Sequence, residues 1–167
     1  LDISTIETGK LELSRSAVNI ADIVRQQIKS FGPLARAKGI VVKEAFFGQN
    51  FEIYGDYDRI NQVFSNLINN AVKFTVQGEV EIIINEKEDE IECSVKDTGI
   101  GIAVKNIPKT FGKFQQFGRG TGAGEKGLGL GLVLVKEIIE MHGGSIWFES
   151  QLGKGSCFTF VLPKYSR

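Results

Sequence analysis

Two clusters of glycine residues carry most of the chemistry that this sequence offers. The first begins with a carboxylate, Asp97, and continues through Gly99 and Gly101, and the second places glycine at alternate positions over residues 127–132. Glycine permits positive φ and close approach of a ligand, so its N–H groups are free to bind phosphate oxygens. A carboxylate at the end of a strand can accept a hydrogen bond from an amine. An acid near phosphate donors indicates a nucleotide.

The second glycine cluster leads into a helical pattern. Apolar residues recur at helical spacing from Leu130 to Met141, which places free N–H groups at a helix N-terminus, where an anion is favoured. One such cluster is explained equally well by a mobile loop and the start of a helix. The presence of two clusters favours the nucleotide interpretation.

Two better-known glycine motifs are absent. A Walker loop requires a Gly-Lys pair followed by Ser or Thr, and no Gly-Lys pair in the sequence is followed by either residue. A dinucleotide fingerprint requires its glycines directly after a strand, whereas Gly127 follows a long glycine-rich run and the third glycine comes too early. The site therefore belongs to another class.

Composition excludes several functions. The chain has 167 residues, enough for one domain with a core, and 20 basic against 20 acidic residues leave no field to attract nucleic acid or an anionic membrane. It contains neither a signal peptide nor an apolar run of about 18 residues that would insert into a membrane. Cys93 and Cys157 lack metal-ligand spacing and are predicted to be small core residues. We expect a soluble, cytoplasmic domain.

The first residues indicate a piece of a longer protein. The chain starts at Leu1 without a methionine, in a pattern typical of the last turns of a helix, which Gly9 ends. We therefore expect residues 1–10 to be the end of a helix and a linker, and residues 11–167 to form the domain.

Hydrophobic periodicity predicts the elements that must position these residues. Helices are expected at 22–38, from the N-cap Asp56 to about Phe74, and at 130–141. Strands are predicted at 10–19, 40–47, 51–54, 79–85, 90–96, 145–151 and 156–162. Turns at 48–50, 87–89 and 153–155 are expected to join neighbouring strands into hairpins.

The second predicted helix has an unusual polar side. It carries Arg59, Gln62, Asn66, Asn70 and Lys73 away from the apolar face. A polar side of this kind is most simply a solvated one. Asparagine, however, is a poor helix former, and this helix contains four asparagines. The amides at 66 and 70 and the lysine at 73 are therefore candidates for a site that holds a metal ion and an anion.

Two features near the C-terminus are given structural roles. His142 has no Ser or Asp near it in a catalytic arrangement, and it is expected to end the last helix. Trp147, Phe158 and Phe160 are predicted to be packing residues of the last hairpin.

With these pieces in place, the chain resembles, over nearly its whole length, the catalytic ATP-binding domain of sensor histidine kinases, within the superfamily of gyrase, Hsp90 and MutL ATPases. Residues 66–75 are similar to the N box, 97–101 to the first glycine box, 111–114 to the F box and 127–132 to the second glycine box. Residues 1–11 are similar to the exit from the kinase's dimerisation helix. Each glycine box alone is a weak signal, whereas the ordered set is specific.

The resemblance implies a Bergerat-type α/β (α+β) two-layer sandwich, with a mixed sheet of about five strands and three helices on one face. It also implies ATP and Mg²⁺ as cofactors. Asp97 would accept the adenine amine, and Asn70 would hold Mg²⁺. Asn66 and Lys73 would contact phosphate and act in catalysis. The other implied nucleotide-binding residues are Gly99, Gly101, Ile102, Phe114, Lys126, Gly127, Leu128, Gly129, Leu130, Gly131 and Leu132.

The residue at position 66 distinguishes branches of this superfamily. Water-using members carry a glutamate general base there, and the amide of Asn66 cannot take a proton from water. The resemblance therefore implies transfer of the γ-phosphate to a histidine on a dimerisation domain of the same kinase. His142 lies in the wrong segment, so the chain alone is expected to bind ATP as a monomer without phosphorylating itself. A response regulator is the further implied partner. The parent kinase is expected to be a homodimer, either with or without a membrane anchor.

Several positions depart from the family pattern. They are Val76 for a proline, Gly112 for an acid, Gln116 for a phosphate-directed arginine and Leu128 for a threonine. Arg119 and Lys126 are alternatives for the missing arginine. The departures leave open a degenerate nucleotide-sensing module without phosphotransfer. A serine kinase of the anti-sigma type is a third hypothesis, which the exit-helix sequence disfavours.

Overall fold

The computed structural model describes residues 12–101 and 128–165, the latter without the side chains of residues 128–130. Strands alternate irregularly with helices along these two ranges. In chain order the elements are β1 Ser16–Asn19, α1 Ile20–Ala37, β2 Ile40–Phe47, β3 Glu52–Gly55, α2 Tyr57–Phe74, β4 Gly78–Glu86, β5 Glu90–Asp97, α3 Leu128–Met141, β6 Ser145–Gln151 and β7 Gly155–Pro163.

The main sheet has five strands in the order β2-β4-β5-β7-β6. β2 and β4 are parallel, and the other neighbours are antiparallel. α1 packs on β2, α2 on β4 and β5, and α3 on β6 and β7. The predicted two-layer sandwich with a mixed five-stranded sheet is therefore confirmed.

The core lies between the helices and one face of the sheet. Along β4 the alternate residues Val80, Ile82 and Ile84 are fully buried, as the two-residue period of a strand requires. The apolar face of α2 meets them, and the ring of Phe64 packs 5.3 Å from that of Phe160. These inward side chains fix α2 against the sheet and thereby set the position of its polar side.

The predicted hairpin of β2 with β3 is wrong. β2 pairs in parallel with β4, and β3 pairs with β1 in a separate two-stranded sheet. The turn between β2 and β3 is held elsewhere, because Glu86 Oε1 accepts hydrogen bonds from the N–H groups of Gln49 and Asn50 at 2.9 and 3.2 Å. The turn is therefore bound to the last residue of β4, and β3 does not pair with β2. The hairpins β4–β5 and β6–β7 form as predicted.

Trp147, a predicted packing residue of the last hairpin, and Cys157, a predicted core residue, are more exposed than predicted. Trp147 is 43% exposed, because its neighbours Ile146 and Phe148 take the inward positions of β6 and pack against the core. Phe160 is fully buried, as predicted. Cys157 is only half-buried, whereas Cys93 is a buried core thiol, and neither forms a disulfide.

The helix starts follow local capping chemistry. α2 begins after the predicted N-cap Asp56, whose Oδ1 accepts the N–H of Arg59 at 3.3 Å. α1 begins earlier than predicted, at Ile20, because Asn19 caps it by accepting the N–H of Ala21 at 2.9 Å. Of the predicted first strand, only Ser16–Asn19 is a strand within the described residues. Neither α1 nor the other described helices are long and apolar enough to cross a bilayer.

The segment before β1 is tied to the adjacent ends of α2 and α3. Ser14 donates its N–H to Asp56 Oδ2 at 2.9 Å. Arg15 Nη2 donates to the carbonyl of Met141, the last residue of α3, at 2.9 Å. The incoming chain therefore contacts the N-terminus of one helix and the C-terminus of the other.

His142 joins the same two helix ends from inside. Its Nδ1 lies 2.8 Å from the carbonyl oxygen of Ile138, and its Nε2 accepts the N–H of Asp56 at 3.0 Å. An acceptor at Nε2 requires the neutral imidazole, with the proton on Nδ1. His142 is buried at the end of α3, which confirms its predicted structural role.

Stability is expected to fall in mild acid through His142. Burial, with a smaller contribution from the nearby Arg15 charge, lowers the pKa of His142 from its usual 6.5. The unfolded chain therefore binds this proton more readily than the folded one, and the free energy of unfolding decreases as pH falls from 6.5 through the lowered pKa. Urea unfolding between pH 7.5 and 5 measures the slope. His142→Gln should flatten it, and an unchanged slope in that variant would assign the effect to other groups.

Candidate nucleotide-binding site

A cavity of about 510 Å³, part of it open to solvent, lies beside the C-terminal half of α2. Its walls come from α2, from the ends of β5 and β7 and from the loop after β5, and most of them are apolar. The lining residues are Leu67, Asn70, Ala71, Phe74, Val95, Asp97, Ile100, Gly101, Ser156 and Phe158. Asp97 and Asn70, which are far apart in sequence, therefore face one cavity.

Asp97 is held by one of its two carboxylate oxygens. Oδ1 accepts the N–H groups of Gly99 at 2.9 Å and of Ser156 at 3.2 Å. Burial raises the pKa of Asp97 above its usual 3.8, although these two hydrogen bonds oppose the shift. Oδ2 accepts no hydrogen bond from any described residue. The arrangement fixes the carboxylate and leaves one oxygen for a ligand's donor.

The glycines after Asp97 pack closely against neighbouring backbone. A Cβ at Gly99 would lie 2.4 Å from the carbonyl oxygen of Phe74. Gly101 has φ +72°, and a Cβ there would lie 2.1 Å from the carbonyl oxygen of Gln151. These contacts give both glycines a packing role that the sequence did not indicate. Gly101 also lines the cavity, and close approach of a purine to the two glycines stays a prediction.

Asn66 and Asn70 present two unsatisfied donors on successive turns of α2. The Nδ2 atom of each is buried and has no hydrogen-bond partner among the described residues. Buried polar atoms almost always have partners, so each such atom calls for an explanation. The two amides are therefore prepared to bind a polar ligand, through nitrogen or, after a flip of the amide, through oxygen.

The first turns of α3 face these amides. A Cβ at Gly131 would lie 3.9 Å from Asn66 Cγ and 4.0 Å from Asn70 Nδ2, so the absence of a side chain leaves the space open. The first N–H groups of a helix have no partner within it and favour an anion. Unpaired amides and a helix N-terminus thus meet at one place.

Lys73 lies one turn beyond Asn70. It is half-buried, and in the described part of the chain it forms no ion pair. Arg59 extends the same polar side toward the start of α2, and its Nε is also buried without a partner in the described ranges. An uncompensated lysine next to the two amides is suited to a phosphate group.

The other predicted site residues lie partly in α3 and partly outside the described ranges. Leu132 is fully buried in the core, so its side chain packs between α3 and the sheet and does not line the cavity. The backbone of Leu128, Gly129 and Leu130 forms the first turn of α3. The predicted residues outside the described ranges are Ile102, Phe114, Arg119, Lys126 and Gly127.

Sequence reasoning missed part of the cavity wall. Leu67 and Ala71 were assigned to the apolar face of α2, which is correct, but they also line the cavity. Ser156, whose N–H fixes Asp97, has no distinctive signal in the sequence, and it is brought there by the register of β7 on β5. A cavity built from the edge of a hydrophobic core cannot be separated from that core by periodicity.

The fold and the site together define an ATPase domain of the histidine kinase and gyrase type. Residues 55–166 match the family described as histidine kinase-, DNA gyrase B- and HSP90-like ATPase, and the chain belongs to this family. Its nucleotide is therefore ATP.

Known proteins of similar sequence and structure are sensor kinases. The circadian input-output histidine kinase CikA of Thermosynechococcus vestitus is 38% identical over 99% of this chain and 23% of its own length. The nucleotide-free catalytic domain of histidine kinase ThkA superposes with a TM-score of 0.78 at 28% identity, covering 92% of this chain and 97% of that one. Full-length ShkA in complex with AMPPNP gives 0.78 at 31% identity over 93% of this chain and 32% of that one. The chain thus spans about a quarter of the length of CikA.

Proposed function

We propose that this chain is the catalytic domain of a sensor histidine kinase, which binds Mg·ATP and donates the γ-phosphate to a histidine on a dimerisation domain. The observation that carries the proposal is the shared cavity of Asp97 and Asn70, with the unpaired amides of Asn66 and Asn70 beside the start of α3. The solved structure of the relative ShkA, which contains AMPPNP, supports a nucleotide in a domain of this shape.

Asp97 would recognise the base. Its Oδ2 is placed to accept the exocyclic amine of adenine, while Oδ1 stays bound to Gly99 and Ser156. The apolar walls contributed by Leu67 and Phe158 would pack against the purine faces. A guanine, which presents a carbonyl at the position of that amine, would place an acceptor against the carboxylate.

The amides suit a magnesium triphosphate. Mg²⁺ prefers oxygen ligands and keeps several of its waters, so one protein oxygen from Asn70 is sufficient beside the phosphates. Asn66 Nδ2 and the Lys73 ammonium would then donate to phosphate oxygens, which supplies the acceptor that the buried Nδ2 lacks. When bound there, the ion would supply positive charge that offsets the negative charge of the phosphates during transfer.

The side chains near the phosphates favour transfer over hydrolysis. Asn66 occupies the place where a water-activating carboxylate would act, and an amide cannot serve as a general base. In the transfer, a ring nitrogen of the acceptor histidine forms the new P–N bond with its lone pair, and the bond from the γ-phosphorus to the bridging oxygen breaks to release ADP. The only histidine of this sequence, His142, is engaged at the far end of α2. The acceptor must therefore be supplied by another segment.

Phosphate would then pass to a response regulator. The relative ThkA has been solved in complex with the response regulator protein TrrA, and that chain aligns with 98% of this one at a TM-score of 0.78. The dimerisation domain and a response regulator are accordingly the partners we propose.

Radiolabelled ATP tests the proposal directly. We expect the domain alone to remain unlabelled, and we expect label on the histidine of the parent protein's dimerisation helices when they are added. The label should be lost in acid, as phosphohistidine is. Binding of ATP without any label would support a nucleotide-sensing module, acid-stable label would support a serine kinase, and absence of ATP binding would overturn all three.

A further inference from the structure

We propose that Lys38 is a positioning residue of the Mg·ATP site, because its ammonium group fixes the last turn of α2. Lys73 belongs to this turn, and Asn70 lies just before it. The inference rests on the proposed function and adds a residue that lies outside every glycine or asparagine motif of the sequence. Lys38 would not touch the nucleotide. It would act through the backbone that carries the two side chains.

The contact is specific. Lys38 is the C-cap of α1, and its Nζ donates to the carbonyl oxygens of Val72 at 2.5 Å and of Lys73 at 3.1 Å. Its side chain is half-buried, and among the described residues it has no acidic partner. A cation against the carbonyl end of a helix is favoured by the helix dipole. The charge of Lys38 is therefore directed at the end of α2.

Every carbonyl at that end is occupied. The last four carbonyls of a helix lack partners within the helix. In α2, Ala71 O accepts the hydroxyl of Thr75 at 2.7 Å, and Phe74 O accepts the N–H of Ile100 at 3.1 Å. The two carbonyl oxygens between them, of Val72 and Lys73, accept hydrogen bonds from Lys38. A helix end that would ordinarily fray is held from three directions.

One of these partners belongs to the adenine side of the cavity. Ile100 lies in the loop that follows Asp97, and Ile100 and Phe74 both line the cavity. The end of α2 is therefore the junction between the carboxylate expected to bind the base and the amide expected to bind Mg²⁺. Loosening this junction would change the spacing of the two groups, and positioning errors at such a site are costly even at a distance from the ligand.

Lys38→Met tests the inference, since it removes the ammonium group and keeps most of the aliphatic stem. We expect the Kd for Mg·ATP, measured by calorimetry, to rise about tenfold, a usual effect of losing a residue that orients a metal ligand. We also expect amide hydrogen exchange over residues 71–76 of the nucleotide-free protein to accelerate. Lys38→Arg, which keeps donors at the same place, should restore most of the affinity.

Lys43→Met is the matched control. Lys43 pairs with Glu79 on the sheet at 2.6 Å and donates to no carbonyl oxygen of α2 among the described residues, so its loss should leave both the Kd and the exchange of residues 71–76 unchanged. A Lys38→Met variant that folds, exchanges faster and still binds Mg·ATP as the wild type does would show a purely structural cap and overturn the inference. If that variant does not fold, Lys38→Gln, which keeps one short donor, is judged by the same criteria. Failure of the wild type to bind Mg·ATP would instead refute the proposed function, and the inference with it.

Discussion

Replacing Asn70 with alanine is expected to reduce phosphotransfer by about a thousandfold, because the change removes the proposed protein ligand of Mg²⁺ next to the transferring phosphate. The same change should leave the nucleotide-free protein intact. Asn70 Nδ2 forms no hydrogen bond with the described residues, so truncation breaks none there. Alanine is also the better helix former, and the free energy of unfolding should stay equal or rise by about 0.5 kcal/mol.

Asn69→Ala is the control for that experiment. Asn69 is in the same turn of α2 but does not line the cavity, so its loss should alter neither phosphotransfer nor Mg·ATP affinity. The measurement is the transfer rate to the dimerisation helices, together with Mg²⁺-dependent ATP binding. Comparable losses in both variants would indicate that helix distortion, and not a lost ligand, is responsible, and would remove Asn70 from the metal site.

Asp97→Asn is expected to weaken ATP binding roughly 100-fold, which is equivalent to about 2.7 kcal/mol. The loss arises because the variant removes a hydrogen bond to a charged group and leaves a donor without an acceptor. The variant amide keeps an oxygen that can accept the N–H groups of Gly99 and Ser156, so the loop should hold its shape. Its Nδ2 would then oppose the adenine amine donor to donor. Calorimetry with ATP gives the loss, and wild-type affinity in the variant would refute the proposed base recognition.

The pH dependence of binding supplies an independent measurement on Asp97. Burial raises the pKa of Asp97 above 3.8 in the folded protein, so the carboxylate gains its proton as pH falls toward that raised value. Adenine binding favours the charged form, and ATP affinity should decrease as the group protonates, whereas the affinity of Asp97→Asn should not follow this titration. In the nucleotide-free protein the sign is opposite. Because the folded state holds the proton more tightly, stability falls as pH rises through the window above 3.8.

Features with local signals were predictable from the sequence. Asp56 marks the start of α2, and the hairpins β4–β5 and β6–β7 follow from alternating strands joined by short turns. The apolar stripe of α2 and its polar side also follow from helical periodicity. These features suffice for the fold class because each depends on residues close together in the chain.

Features that depend on tertiary contacts were not predictable. β2 pairs with β4 only after the chain has crossed through β3 and α2, and the turn that prevents the expected hairpin is held by Glu86, a residue far along the chain. The contact of Lys38 with α2 joins residues 34 positions apart. Trp147 is a different case, because the alternation of its neighbours Ile146 and Phe148 already indicates an outward position.

The segment before β1 is attached to Asp56 and Met141, at the end of α2 opposite to the proposed nucleotide site. At about 1.5 Å of rise per residue, Asp56 and Asn70 lie roughly 20 Å apart along the axis of α2. A fluorophore at the exposed position Glu12 would consequently sit well clear of bound nucleotide. Energy transfer from such a dye to a label on the proposed dimerisation helix would measure the distance between the two domains with and without nucleotide, and the dye would not disturb the ligand.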